Sequence, residues 1–279
     1  MSPEKYIFLN DKLVAAAEAV ISVEDRGFLY GDGFFETIRA EAGRPLFWPE
    51  HLERLIDSTR AFRIDLPPDI PWLDRLQTLL VRNDLAGRTA AVKILVTRGK
   101  SPALGLPPGR QPTIVIYVRP YDPPPEIEYQ RGWPVVTFPE PRTCFVGQYK
   151  SLNYLYCLAA RQYALDRGAR EAIFLENLEV VSEGAATALI YAQGEDFFTP
   201  RSASSLKSIT VAVLGRALTI RGFSLRAKKI TLENLQHADG VWLANSLMGL
   251  LPVASLDGLP LLLSPQTDFL NQCLWAEAN

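Results

Sequence analysis

The feature that most constrains this chain is a cluster of prolines near its middle, Arg119-Pro120-Tyr121-Asp122-Pro123-Pro124-Pro125. Proline has no backbone N–H and its ring fixes φ, so the cluster fits neither a helix interior nor a central strand. A stiff linker is the conformation left to it. The chain therefore divides into a smaller N-terminal domain over residues 1–119, a linker over 120–126 and a larger C-terminal domain over 127–279. Each block is long enough to bury a core of its own.

Periodicity fills in both blocks. Residues 6–10 and 13–17 read as strands around the polar turn Asn10-Asp11-Lys12, and 34–40 as a third strand ahead of the turn at 41–44. Residues 49–62 have helical spacing, with Leu52, Leu55, Ile56, Thr59 and Phe62 on one face. A second helix is expected over 71–82, with Pro71 in its first turn and Leu73, Leu76, Leu79 and Leu80 inside. The β-branched runs 91–97 and 113–118 read as buried strands. Beyond the linker, strands are expected at 133–138, 172–175, 178–181, 187–192, 223–230 and 241–245, with helices over 151–166 and 209–221. Mixed elements in two unequal blocks argue for a two-domain α+β or α/β protein.

Several function classes drop out on composition. Lys+Arg 29 against Asp+Glu 31 gives a net charge of -2, which offers no footprint for nucleic acid and no attraction to a membrane surface. No apolar stretch approaches the ~18 residues of a spanning helix. The opening Met1-Ser2-Pro3-Glu4-Lys5 lacks the pattern of a secretion signal, so a cytoplasmic enzyme acting on a small molecule is expected. Cys144, Cys157 and Cys273 are odd in number and widely spaced, and are expected as buried free thiols. Only two histidines, His51 and His237, are present, too few and too scattered for a zinc site. No Gly-x-Ser-x-Gly elbow accompanies them.

Four positions can carry chemistry, each with an ordinary alternative. Lys150 stands where an extended segment meets the expected helix, and both the helix dipole and partial burial would favour its free amine. A solvated lysine is the alternative. Glu183 follows an apolar strand and precedes small residues, so a carboxylate there can hold a protonated ring nitrogen; otherwise it is a turn glutamate. Ser204-Ser205-Leu206-Lys207-Ser208-Ile209-Thr210 precedes a helix and suits an anion, or merely supplies an N-cap. Arg54 lies beside Leu52 and Leu55, at the edge of an apolar face, where it pairs with a phosphate or with a surface carboxylate. Lysine, carboxylate, arginine and helix start together suit pyridoxal phosphate.

Ordered segments carry a resemblance as well. Asp25-Arg26-Gly27-Phe28-Leu29-Tyr30-Gly31-Asp32-Gly33-Phe34-Phe35-Glu36-Thr37, His51-Leu52-Glu53-Arg54-Leu55, Lys150-Ser151-Leu152-Asn153-Tyr154, Ser182-Glu183-Gly184, Leu206-Lys207-Ser208-Ile209-Thr210 and Asn245-Ser246-Leu247-Met248-Gly249 resemble motifs of the fold-type IV pyridoxal-phosphate enzymes, the class IV aminotransferases. The resemblance runs from about residue 6 to residue 258. It implies a D-amino-acid-aminotransferase-like fold, the cofactor pyridoxal 5'-phosphate between two domains, and a homodimer. It implies that Lys150 carries the cofactor as a Schiff base and acts as general base, and that Glu183 meets the pyridine nitrogen. Arg54, Ser208, Ile209, Thr210 and Ser246 fall at phosphate-binding positions, and Tyr30 and Tyr154 at positions lining the site. Two departures stand out. Lys207-Ser208 replaces the usual Pro-Gly, and Ala188 replaces an asparagine common five residues after the glutamate.

Within the family, Ala244-Asn245-Ser246-Leu247-Met248-Gly249-Leu250-Leu251-Pro252-Val253 is more similar to aminodeoxychorismate lyases than to the Gly-Thr-Ala-rich form of branched-chain transaminases. Thr97-Arg98-Gly99-Lys100 resembles the carboxylate-binding arginine segment of D-amino-acid transaminases, with Lys100 in place of their histidine. Arg98 is therefore the expected substrate anchor. The lyase is the preferred expectation and an amino-acid transaminase the alternative. Intact Lys150, Glu183 and Arg54 argue against a non-catalytic binding module.

Overall fold

The computed structural model of the chain describes residues 5–278, so the leader reading at Met1–Glu4 lies outside the described residues. The chain forms two compact units, one of residues 1–122 with 150–153, the other of residues 123–149 with 154–279.

The first unit contains β1 (Tyr6–Leu9), β2 (Lys12–Ala15), α1 (Arg26–Tyr30), β3 (Gly33–Glu41), β4 (Arg44–Pro45), α2 (Trp48–Ala61), α3 (Trp72–Arg82), β5 (Ala90–Thr97) and β6 (Thr113–Pro120). Its sheet has the order β2-β1-β6-β5-β3-β4, and the pairs between neighbouring strands are antiparallel. Alternation decides its two faces. Phe34, Ile38, Val92, Ile94, Val96, Ile114 and Ile116 point to one side and are buried. Leu55 of α2 and Leu76, Leu79 and Leu80 of α3 are buried too. Leu73, expected inside, is exposed; Trp72 is buried in the first turn instead.

The second unit contains α4 (Glu126–Arg131), β7 (Trp133–Thr137), α5 (Leu155–Leu165), β8 (Glu171–Glu176), β9 (Val180–Gly184), β10 (Ala188–Gln193), β11 (Asp196–Pro200), α6 (Ile209–Ile220), β12 (Leu225–Lys228), α7 (Leu232–Gln236), β13 (Gly240–Asn245), β14 (Gly249–Leu256), β15 (Leu259–Pro260) and α8 (Thr267–Ala276). The sheet runs β12-β11-β10-β13-β14-β7-β8-β9, with β15 beside β14. Ile173, Val181, Leu189, Tyr191, Leu243, Leu251 and Val253 belong to one buried cluster on it. Cys157, Ala160 and Ala164 of α5 pack with Ala172, Phe174 and Ala185 in another.

The lysine segment differs from its expected structure. Residues 151–154 are not helical; α5 begins only at Leu155. The Phe35 N–H donates to Lys150 O (2.8 Å) and the Leu152 N–H to Gly33 O (2.9 Å), so the segment extends the first sheet beside β3. Backbone pairing outweighs the helical spacing of the side chains here. Lys150 therefore belongs with the N-terminal unit, not the C-terminal block, and the dipole of α5 does not act on it directly. Gly33 admits this pairing because a Cβ there would collide with Val96 O and meet the Leu152 side chain.

Candidate active site

In the first unit, Lys150 lies over one edge of β3. Its Nζ stands 4.7 Å from the centre of the Phe35 ring. On the opposite face of β3, Glu36 accepts two bonds from Arg54, Nε to Oε1 (2.8 Å) and Nη2 to Oε2 (2.6 Å). His51 Nδ1 meets Oε2 at 2.7 Å. Burial pushes the Glu36 carboxyl up, but Arg54 and His51 overcome it and hold the group at about 2. Burial holds His51 below its ordinary value, and the charge of Lys150 adds to that effect. The His51 Nε2 is buried without a hydrogen-bond partner. Arg54 is thus presented by a buried carboxylate rather than by a surface pair. Lys93 shares the Phe35 ring with Lys150, its Nζ 3.7 Å from the ring centre.

In the second unit, Glu183 is the penultimate residue of β9 and is 9% exposed. Arg142 Nη1 donates to its Oε1 (2.7 Å) and the Leu206 N–H to its Oε2 (3.1 Å). Glu183 is thereby tied to the turn that leads into α6. In that turn Ser208 is the N-cap, with φ -74 and ψ 123, and its side chain accepts from the Val211 N–H. Extended backbone suits any residue, so the turn does not need the glycine that Ser208 replaces. The first N–H groups of a helix have no intrahelical acceptor and favour an anion. Thr210, in the same turn, has a buried Oγ1 with no hydrogen-bond partner. An orphaned hydroxyl beside a helix start fits a phosphate.

Tyr154 donates to Ala185 O at 3.1 Å. Burial, with Cys157, Glu171 and Glu183 adding to it, pushes its phenol well above the ordinary range, so it stays a neutral donor. Ser246 occupies the turn between β13 and β14. Its neighbour Asn245 accepts from the Leu247 and Met248 N–H groups, 3.0 Å each, and donates to Ala186 O. Glu171, on β8, is fully buried in the same unit. Its buried Oε2 accepts from the Ala186 N–H (3.2 Å) and the Thr187 hydroxyl (3.2 Å), with Arg161 at 3.3 Å.

Two expected substrate residues fare differently. Tyr30 is 54% exposed, under the Arg26 guanidinium, and one residue from Gly31, whose carbonyl accepts from Asn153. Arg98 is 1% exposed and structural. Its Nε and Nη2 bind the two oxygens of Asp32 at 2.7 and 3.0 Å, and Nη1 and Nη2 reach Pro107 O, Arg63 O and Phe62 O. A guanidinium has five N–H donors, and all are engaged. None is left for a substrate carboxylate, which overturns the expectation for Arg98.

Glu36, Lys93, Arg142 and Glu171 are absent from the sequence-based set. Glu36 had a signal, because alternation places it inward among Phe34 and Ile38. Lys93 is a lone cation within an apolar strand. Arg142 and Glu171 carry no local pattern, since their partners lie 41 and 15 or 16 residues away. Cys144 is exposed, contrary to expectation, whereas Cys157 and Cys273 are buried. Among the described residues no His/Cys/Asp/Glu group suits a metal ion, and no helix is long and apolar enough to cross a membrane.

The family profile described as amino-transferase class IV matches residues 33–256. The chain belongs to the class IV aminotransferase family. It is 33% identical over 256 residues to a candidate branched-chain-amino-acid aminotransferase of Methanocaldococcus jannaschii, covering 90% of this chain and 88% of that one. It is 32% identical over 260 residues to the D-alanine aminotransferase of Staphylococcus epidermidis, covering 90% and 89%. A candidate 4-amino-4-deoxychorismate lyase of Legionella pneumophila superimposes with a TM-score of 0.84 at 27% identity, covering 94% of this chain and 97% of that one.

Proposed function

We propose that this class IV enzyme is a lyase that converts 4-amino-4-deoxychorismate to 4-aminobenzoate and pyruvate, a step of folate synthesis. Pyridoxal phosphate is its cofactor; when bound, it withdraws electrons from the carbon that carries the substrate nitrogen. The Lys150 amine takes the proton from that carbon. As the proton leaves, the ring C–O bond breaks, the ring becomes aromatic, and the expelled enolate takes up a proton on carbon to become pyruvate. Arg54, set by Glu36, and the Ser208–Ile209–Thr210 helix start would hold the phosphate. Glu183, set by Arg142 and Leu206, would hold the ring nitrogen, and Tyr154 would line the site beside it. Ser246 and Tyr30 complete the proposed set.

The lyase reading is supported by the likeness of the Ala244–Val253 segment to aminodeoxychorismate lyases and by the Legionella pneumophila neighbour at 27% identity; the state of Arg98 counts against the D-amino-acid alternative. The D-amino-acid reading needs that guanidinium for a carboxylate, and Asp32 with three carbonyls occupies all of it. Amino transfer is the second reading, favoured by the two relatives above 30% identity. A homodimer belongs to the same proposal: Val20, Val23, Phe28 and Leu29 are exposed in one short stretch, and a second copy would cover them. So does a cytoplasmic location.

A paired assay on purified protein tests the function. One arm generates aminodeoxychorismate in place and follows 4-aminobenzoate fluorescence. The other offers leucine, valine, L-glutamate or D-alanine with a keto acid and follows amino transfer. Fast 4-aminobenzoate release with negligible transfer is expected; rapid transfer without 4-aminobenzoate refutes the lyase.

A further inference from the structure

Thr37, Lys93 and Tyr117 stand side by side across β3, β5 and β6. Strand alternation puts Phe35 on the same face, and the backbone bond between Phe35 and Lys150 brings Lys150 to it. The Lys93 and Lys150 nitrogens lie 3.7 and 4.7 Å from the same ring centre, so they are no further apart than the sum of those distances. Two ammonium groups this close repel one another, and a half-buried site screens the repulsion weakly. Among the other charged groups, Arg119 on β6 adds to the repulsion and Glu36 on β3 opposes it. His51 on α2 feels Lys150, Glu36 and Arg54.

We propose that the charges of Lys93 and Lys150 are coupled: Lys93 holds its proton more tightly while the Lys150 nitrogen is bonded to the cofactor, and less tightly once Lys150 is an ammonium. The proposal rests on Lys150 being the cofactor lysine. No covalent bond forms at Lys93, and the proton it yields goes to solvent. Lys93 acts through Lys150 and is a positioning residue: by yielding its proton more readily beside an ammonium Lys150, it lowers the charge of the pair above about pH 8. Burial first, then Lys150 and Arg119, push the Lys93 amine down to about 8, where its charge can respond to a neighbour.

The test uses the full chain without cofactor, its lysines reductively methylated with 13C-formaldehyde and followed by NMR against pH. Lys93→Arg identifies the Lys93 resonance by its disappearance. In the parent that resonance should titrate near pH 8. In Lys150→Met its midpoint should rise by about one pH unit. An unchanged midpoint overturns the coupling. With cofactor bound, Lys93→Met should move the pH at which the visible band changes, whereas Lys93→Arg, which keeps a charge, should leave it nearer the parent. Equal profiles for the parent and Lys93→Met overturn the proposal too. Loss of the visible band in Lys150→Met checks the underlying reading separately. A surviving band sinks Lys150 as the cofactor lysine, and the proposal with it; a lost band with an unmoved Lys93 midpoint sinks only the coupling.

Discussion

Replacing Glu36 by glutamine should remove about 3 kcal/mol of stability at pH 7. The carboxyl is buried and is held at about 2, against 4.5 for an unperturbed glutamate. Each pKa unit corresponds to about 1.4 kcal/mol of preference for the charged form in the folded state. Because the folded-state value lies below the unfolded one, this stability is present above the unfolded pKa and fades as pH falls through the window between the two. The gap between the parent and Glu36→Gln should therefore stay near 3 kcal/mol from pH 7 to pH 5 and shrink to about 2 kcal/mol by pH 3.5. Urea unfolding of both proteins at pH 7, 5, 4 and 3.5 measures this. A variant as stable as its parent at pH 7, or a gap that does not narrow below pH 4.5, refutes the reasoning. Either result would mean that Arg54 and His51 do not stabilise a buried charge.

Further expectations follow from the orphaned hydroxyl and the locked arginine. Thr210→Val should weaken cofactor binding roughly tenfold, the worth of a hydrogen bond to a charged group. It should leave the urea midpoint of the cofactor-free chain unchanged or slightly higher, because the hydroxyl is unpartnered there; spectroscopic titration with the cofactor reads the first and unfolding the second. Arg98→Lys should cost roughly 3–5 kcal/mol of stability, since it breaks a buried network around Asp32. KM of the folded remainder should not change. A stable Arg98→Lys protein with a raised KM would restore Arg98 to substrate binding.

The local parts of the candidate site are legible in the sequence. Ser208 is a helix N-cap, and a hydroxyl three residues before a helical N–H announces itself by spacing. Glu183 lies at the end of a strand in front of small residues, and Gly184 is small for a reason the structure supplies: a Cβ there would collide with the Thr187 hydroxyl. The errors arose where distant residues compete for a group. Arg98 resembles a substrate anchor by its neighbours, but Asp32, 66 residues earlier, takes its fork. Side-chain spacing that continues through Ser151 and Leu152 puts Lys150 at a helix start, whereas the backbone there is already bonded to β3.

The sequence by itself determined the strand and helix periods, the division near the proline cluster, and the residue types able to hold an anion, a ring nitrogen and an imine-forming lysine. Only the tertiary structure decided which of those groups are available. A guanidinium has a fixed number of donors and a carboxylate a fixed number of lone pairs. Their allotment is settled by partners brought close in space, as Asp32 is to Arg98, Arg142 to Glu183, and Lys93 to Lys150 across the face of Phe35.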